Sequence, residues 1–184
     1  MAKCWFTADL HLDHENIIKY CNRPFLDVQD MNYHLIDNWN QRVKKEDIVF
    51  HIGDFCYKET KHKAKDFIDQ LNGQIIFIKG NHDTNNGVKT NILDLRLVFG
   101  KKNARDILLI HRPEEAGPGY FLVLSGHVHQ LWKFQTIKFY DYSYDCCNVG
   151  VDSFGGFPVS INEIMKAYQY WKETGDGNVS PWKI

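Results

Sequence analysis

The sequence predicts an α/β fold: a four-layer α/β/β/α sandwich of two packed mixed sheets with helices outside. Three observations predict it. In the first half, apolar β-favouring runs alternate with segments of helical periodicity, the pattern of parallel strands joined by crossover helices. In the second half, short strand-like runs are separated by Gly, Pro and Asn turns, which suits a second sheet with hairpin connections. The strand-like runs that end in polar residues end in Asp, Asn and His, and in α/β sheets the carboxyl ends of strands are where ligands bind.

Cys4 to Ala8 (CWFTA) is an apolar run closed by Asp9-Leu10-His11 and gives the first strand. Val28 to Val43 carries Val28, Met31, Leu35, Ile36, Trp39 and Val43 at the three-and-four spacing of one helical face, with Asp27 placed to cap it. Asp47 to Ile52 is the second strand, ended by Gly53-Asp54. Lys58 to Leu71 is expected to be helical, with Ala64, Phe67, Ile68 and Leu71 on one face and Asn72-Gly73 as its stop. The third strand, Gln74 to Lys79, runs into Gly80-Asn81-His82-Asp83. Leu95 to Phe99, Ala104 to Ile110, Tyr120 to Ser125, Leu131 to Phe139 and Asp145 to Val149 are the later strands, and Ile161 to Glu173 is the last helix. No repeat or linker interrupts the chain. One domain is expected over residues 1–184, with its core at about 3–173 and Thr174 to Ile184 as a loosely held tail.

Composition removes several function classes. With 43% apolar and 24% charged residues the chain has the make-up of a water-soluble domain. No apolar run approaches the roughly 20 residues that span a bilayer, so no membrane partner is expected. The segment from Met1 to Leu10 lacks the features of a signal peptide, and a cytoplasmic location is expected. Five cysteines without a CxxC pair suit neither a disulfide framework nor a zinc ribbon and are expected to be reduced thiols, Cys146-Cys147 among them as buried filler. The formal net charge is -1 with Lys and Arg spread along the chain, so a nucleic-acid partner is not indicated.

Nine histidines are many for 184 residues, and most of them sit at strand ends beside Asp and Asn. Asp9 with His11, Asp54, Asn81 with His82, His111, and His127 with His129 each follow an apolar run and are expected to converge. A pair of divalent ions about 3.5 to 4 Å apart leaves positions open for water and substrate, and this set of Asp9, His11, Asp54, Asn81, His111, His127 and His129 suits it. Imidazole, carboxylate and amide donors together favour manganese, iron or zinc over calcium or magnesium. The other polar residues have plainer readings. His34 and His62 fall on helical segments and are expected at the surface, and His51 in the core or behind the ligands. Phe134, Phe139, Tyr140, Tyr142 and Tyr144 are expected to pack more than to stack a nucleobase. Arg23 could fork onto a phosphate or pair with an acid such as Asp27.

In this order, DxH, GD, GNHD, a lone His and GHxH resemble the calcineurin-like metallophosphoesterase superfamily over roughly residues 3 to 165. The stretches His14 to Phe25 and Asn148-Val149-Gly150-Val151-Asp152 resemble a compact microbial and phage branch of it. The resemblance implies that Asp9, His11 and His129 hold one metal, that Asn81, His111 and His127 hold the other, and that Asp54 bridges them. It implies that His82 meets the substrate, with Asp83 orienting it. Many members carry GDxxxR, whereas Lys58 stands at the arginine's place here, so His14 or Arg23 is the candidate for the positive charge near the substrate. The implied activity is metal-dependent hydrolysis of a phosphodiester or phosphomonoester in a small phosphorylated substrate, nucleotide-like ones included. Two divalent transition metal ions are implied, Mn2+ foremost, with Fe, Zn and Ni as alternatives. A nuclease acting on polymeric nucleic acid would add a basic groove, and a non-catalytic metal-binding module on the same scaffold would be expected to lack some ligands.

Overall fold

Side-chain alternation sorts the first sheet into two faces. The computed structural model describes residues 2–58, 62–100 and 104–183. Strands β1 (Cys4–Thr7), β2 (Ile48–Ile52) and β3 (Gln74–Ile78) are parallel in the order β3-β2-β1. Trp5, Val49 and Phe77 face one core while Phe6, Phe50, Ile52 and Ile78 face another, as a period of two requires. The first core is closed by helices α1 (Glu15–Tyr20), α2 (Val28–Arg42) and α3 (Ala64–Ile68), through Ile17, Met31, Leu35, Trp39 and Phe67. Asp27 caps α2 as expected, accepting from the backbone N–H groups of Gln29 and Asp30 at 2.9 Å each.

The second sheet has the order β4 (Asp94–Phe99), β5 (Arg105–Ile110), β6 (Leu122–Ser125), β8 (Ser143–Asn148), β7 (Phe134–Lys138). Its three central strands are parallel and its two edge strands antiparallel, so both sheets are mixed; β9 (Val159–Ser160) supplies the antiparallel edge of the first. Between the sheets, Ile107, Leu109, Leu122 and Leu124 meet Phe6, Phe50 and Ile52, and helix α4 (Ile161–Thr174) joins this core through Ile164 and Ala167. The far face of the second sheet buries Leu108, Val123, Tyr144 and Cys146 beneath the turn Pro113–Glu115 and the aromatics Tyr120, Trp132 and Tyr142. This is the predicted α/β sandwich of two packed mixed sheets.

Several elements differ from expectation. Helix α1, absent from the sequence reading, has six residues and buries only Ile17, too little periodicity to announce itself. The helix expected over Lys58 to Leu71 is seen as α3, Ala64–Ile68, and residues 59–61 lie outside the described residues. Strand β7 starts at Phe134, because Leu131 and Trp132 belong to the turn before it. The expectation of a loose tail needs correction. Gly177 accepts from the Phe134 N–H at 3.2 Å, Lys133 donates to the carbonyls of Asn178 and Val179, and Trp182 donates to Glu163 at 2.9 Å. His34 and His62 are surface residues, paired with Asp30 and Asp13. The five cysteines are free thiols, all buried except the half-buried Cys4.

Candidate metal centre

The parallel strands of both sheets point their carboxyl ends at one edge of the sandwich, and the chain turns sharply there. Asp9, His11, Asp54, His127 and His129 all take left-handed backbone conformations, with φ of 57°, 50°, 59°, 72° and 48°. Such a conformation costs a non-glycine residue on the order of 1 kcal/mol or more, and it persists where the surroundings over-determine it. Here it aims five polar side chains inward from strand ends. The flanking glycines let the loops close in. A Cβ on Gly80 would lie 2.1 Å from the Asp54 carboxylate, and one on Gly126 would lie 2.7 Å from that of Asp9.

All seven expected ligands meet at this edge. Donor atoms of Asp9, His11 and His129 lie within 4.8 Å of one another, and so do those of Asp9, Asp54 and His111. The Asp54 Oδ2 atom stands between the two sets, 3.5 Å from His11 Nε2 and 3.3 Å from His111 Nε2. Asn81 brings its Oδ1 to 3.0 Å from His111 Nε2, and the ring of His127 lies 5.2 Å from that of His111. The His127 N–H donates to both carboxylate oxygens of Asp9, at 3.1 and 3.0 Å. Asp9 thus belongs to both donor sets, a position the sequence reading gave to Asp54 alone. Among the described residues His11 Nε2 is buried without a hydrogen bond, a lone pair that a metal ion would satisfy. The borderline donor set and this orphaned nitrogen fit a divalent transition metal.

A layer of partners fixes the candidate ligands. The His111 Nδ1–H donates to the Ile52 carbonyl at 2.9 Å, which leaves Nε2 for the centre. The His129 Nδ1–H donates to Asp152 at 2.8 Å, and Asp152 in turn accepts from Arg23 Nε at 2.7 Å and Nη2 at 3.0 Å. Arg23 also donates to the carbonyls of Leu10 and Asp9 and to the sulfur of Met31, so all of its N–H groups are engaged. The expectation that Arg23 binds substrate is therefore corrected. It pairs with an acid, Asp152 and not Asp27, and supports the turns that carry Asp9 and His129. Asn148 adds to the support by donating to the His129 carbonyl at 2.6 Å. Sequence reasoning gave no role to Asp152 or Asn148; the only signal was the Asn148 to Asp152 stretch.

The role expected for Asp83 is corrected as well. Its carboxylate accepts from the backbone N–H groups of Asp54, Phe55 and Gly80 and from the side chain of Asn86, so it clamps the turns after β2 and β3 together instead of orienting the His82 ring. His82 itself is exposed, edge-on to His11 with ring centroids 5.5 Å apart, and its N–H donates to Asp54 at 2.8 Å. His14 lies 5.7 Å from His11 and against the ring of Tyr57 at 4.4 Å, at the border of the same cleft as His82. His51, fully buried between Phe55 and Phe77, is in the core as expected, and burial lowers it to about 4.

The electrostatics call for a cation. Burial pushes Asp9 up to about 6, whereas Asp54, despite its burial, is held below the usual carboxylate range by the hydrogen bond and charge of His111 and the charge of His11. Burial works against protonating His111, but Asp54 and Asp9 raise it to about 9; Asp152 does the same for His129, up to about 10. His11 is driven well below its ordinary value, chiefly by burial. Buried carboxylates and imidazoles thus face one another across the site, and metal ions compete with protons for such ligands.

A family model described as calcineurin-like phosphoesterase matches residues 2–173. An uncharacterized protein of Methanocaldococcus jannaschii is 36% identical over 175 residues, which cover 94% of each chain. The gene 66 protein of a Mycobacterium phage is 34% identical over 85 residues, 45% of this chain and 41% of the phage protein. The solved structure of a protein of unknown function from Aquifex aeolicus is similar in fold, with a TM-score of 0.66 at 24% identity, over 90% of this chain and 99% of that one. Among the described residues no helix is long and apolar enough to cross a membrane.

Proposed function

The chain belongs to the calcineurin-like phosphoesterase family, and from that premise we propose that it is a hydrolase with a dinuclear metal centre, acting as one domain in the cytoplasm on a small phosphodiester or phosphomonoester. The observation that carries this reading is the pair of donor sets sharing Asp9, with the Asp54 carboxylate between His11 and His111. In it, Asp9, His11 and His129 would hold one ion and Asn81, His111 and His127 the other, with Asp54 placed to serve both and Asp9 at its side. Two divalent ions, manganese foremost with iron, zinc or nickel as alternatives, would supply Lewis acidity there, lowering the pKa of water and neutralising phosphate oxygens.

The chain's own residues do the rest. His82, exposed at the cleft, donates a hydrogen bond to a phosphate oxygen and a proton to the leaving oxygen. His14 borders the cleft and orients the substrate. Asp83, through its backbone clamp, fixes the distance between Asp54 and the Gly80 turn on which Asn81 and His82 ride. Arg23 and Asp152 hold His129 in the tautomer that presents Nε2. A binding module without activity is disfavoured because no ligand has been lost, and a polymeric nucleic-acid substrate is disfavoured by the net charge of -1.

Matched mono- and diester chromogenic substrates test the reading, with metal-stripped protein resupplied with manganese, nickel, zinc or magnesium. Hydrolysis is expected to return with the transition metals, and Asp54→Ala and His127→Ala are each expected to abolish it. Near wild-type turnover in both variants would overturn the assignment.

A further inference from the structure

The two flanks of the centre differ in chemistry. On one side the imidazoles of His11, His82 and His129 floor a cleft of about 340 Å³ whose wall is Ile17, Tyr20 and Leu131. On the other, Asn81 and His111 open into a cavity of about 410 Å³ bordered by Lys79, Asp94, Arg112 and Glu115. Both volumes lie toward the small end of small-molecule sites. Tyr20 is 68% and Leu131 76% exposed. A lone exposed apolar side chain is ordinary, but these two border the same cleft, and that cleft is lined by His11, His127 and His129. Rings lead outward from the centre to this rim, with His14 5.7 Å from His11 and Tyr20 edge-on to His14 at 6.3 Å. The Gln130 side chain donates to the Tyr20 carbonyl at 3.5 Å, which ties the end of α1 to the turn that carries Leu131.

We propose that the apolar flank is a subsite for a flat aromatic or heteroaromatic group carried by the alcohol esterified to the phosphate, so that aryl and nucleoside esters are the substrate class. The inference rests on the reading of the centre as a phosphoesterase site. With phosphate at the metal ligands, the organic group lies against the Tyr20 ring and the Leu131 side chain and removes both from water. His82 borders that same cleft. The other flank sets Leu93 and Ile110 among the charges of Lys79, Asp94, Arg112 and Glu115 and has no counterpart to the Tyr20 ring.

Calorimetric titration of manganese-loaded protein with methyl phosphate, phenyl phosphate and adenosine monophosphate separates the possibilities. At least one of the two aromatic esters is expected to bind about fivefold or more tighter than methyl phosphate, the low end of what a stacked ring contributes. Tyr20→Ala and Leu131→Ala are expected to shrink that margin, and Tyr20→Phe to keep it; because both side chains are exposed, the folded state should tolerate all three. A margin for both esters supports a general aromatic subsite, and a margin for the nucleotide alone supports recognition of the heteroaromatic base. Equal binding of all three ligands, or a margin that survives both alanine variants, overturns the subsite while leaving the centre intact. If methyl phosphate also fails to bind, the reading of the centre falls, and the subsite with it.

Discussion

The Asp83 carboxylate is buried with four hydrogen bonds, three of them from backbone N–H groups, while the neighbouring His82 is exposed at the cleft. Truncating the two should therefore have opposite signatures. His82→Ala is expected to lower turnover while metal content and Tm stay near wild type. Asp83→Ala strands buried donors at about 1–3 kcal/mol each, and at roughly 2–4 °C per kcal/mol in a chain of this size its Tm should fall by on the order of 6 °C or more. Thermal unfolding with metal analysis of both variants checks this, and an unmoved Tm in Asp83→Ala would refute the clamp. Asp152→Asn probes the next layer. Arg23 donates to both oxygens of Asp152 and His129 to one, so an amide nitrogen at either position must face a donor. Metal affinity is expected to drop about 10- to 100-fold, measured by equilibrium dialysis. Six of the seven candidate ligands were legible in the sequence because each sits in a local motif at a strand end, and His111, a lone histidine, was legible only through its place in the order of the set. The Arg23–Asp152 pair was not, because its members are 129 positions apart and leave no local pattern.

Among the elements, α4 shows how a helix end ties distant parts of the fold together. Ser160 and Glu163 form a reciprocal capping box, and the Glu163 carboxylate also receives Arg42 of α2 and Trp182 of the C-terminal segment. Burial alone would raise its pKa, but the Ser160 N–H, Arg42 and Trp182 outweigh it and hold Glu163 at about 2, below its ordinary 4.5. A carboxylate whose pKa is depressed by folding stabilises the fold fully above the unfolded value and loses that contribution as the pH falls toward the folded one. The Tm difference between wild type and Glu163→Gln is thus expected to be constant above about pH 4.5 and to shrink as the pH falls toward 2, followed by thermal melts across that range. A difference that does not change with pH would mean that the charge is not what matters at this cap. Helix α2 was legible from its apolar spacing and its Asp27 cap. Helix α1 was not, since six residues with one buried side chain are held by tertiary contacts more than by propensity, and the C-terminal segment is held by bonds to β7 and α4 that no local signal marks.

For the whole molecule, two sheets each direct strand ends at one edge, and the turns there carry five left-handed non-glycine candidate ligands, two of them buried carboxylates. The alternation of strands and helices made that convergence legible, because parallel strands share a direction; the pairing order β4-β5-β6-β8-β7 was not, because register between distant strands is decided by packing. Left to itself this edge works against the fold, through backbone strain and through charge buried against charge. Metal ions that bind the folded centre but not the unfolded chain therefore contribute folding stability directly. At a free concentration near 100 times Kd, a single site contributes about 2.7 kcal/mol, which in a chain of this size corresponds to roughly 5–10 °C in Tm. Chelation is expected to lower Tm by at least that much and resupplied manganese to restore it. The same treatment should move Asp54→Asn far less, because the carboxylate that lies between His11 and His111 is neutralised. A wild-type Tm indifferent to chelator would mean that the strained edge is stabilised by its own hydrogen bonds alone, from Asp83, Asp152 and Asn148, and that metal binding adds no stability to the folded state.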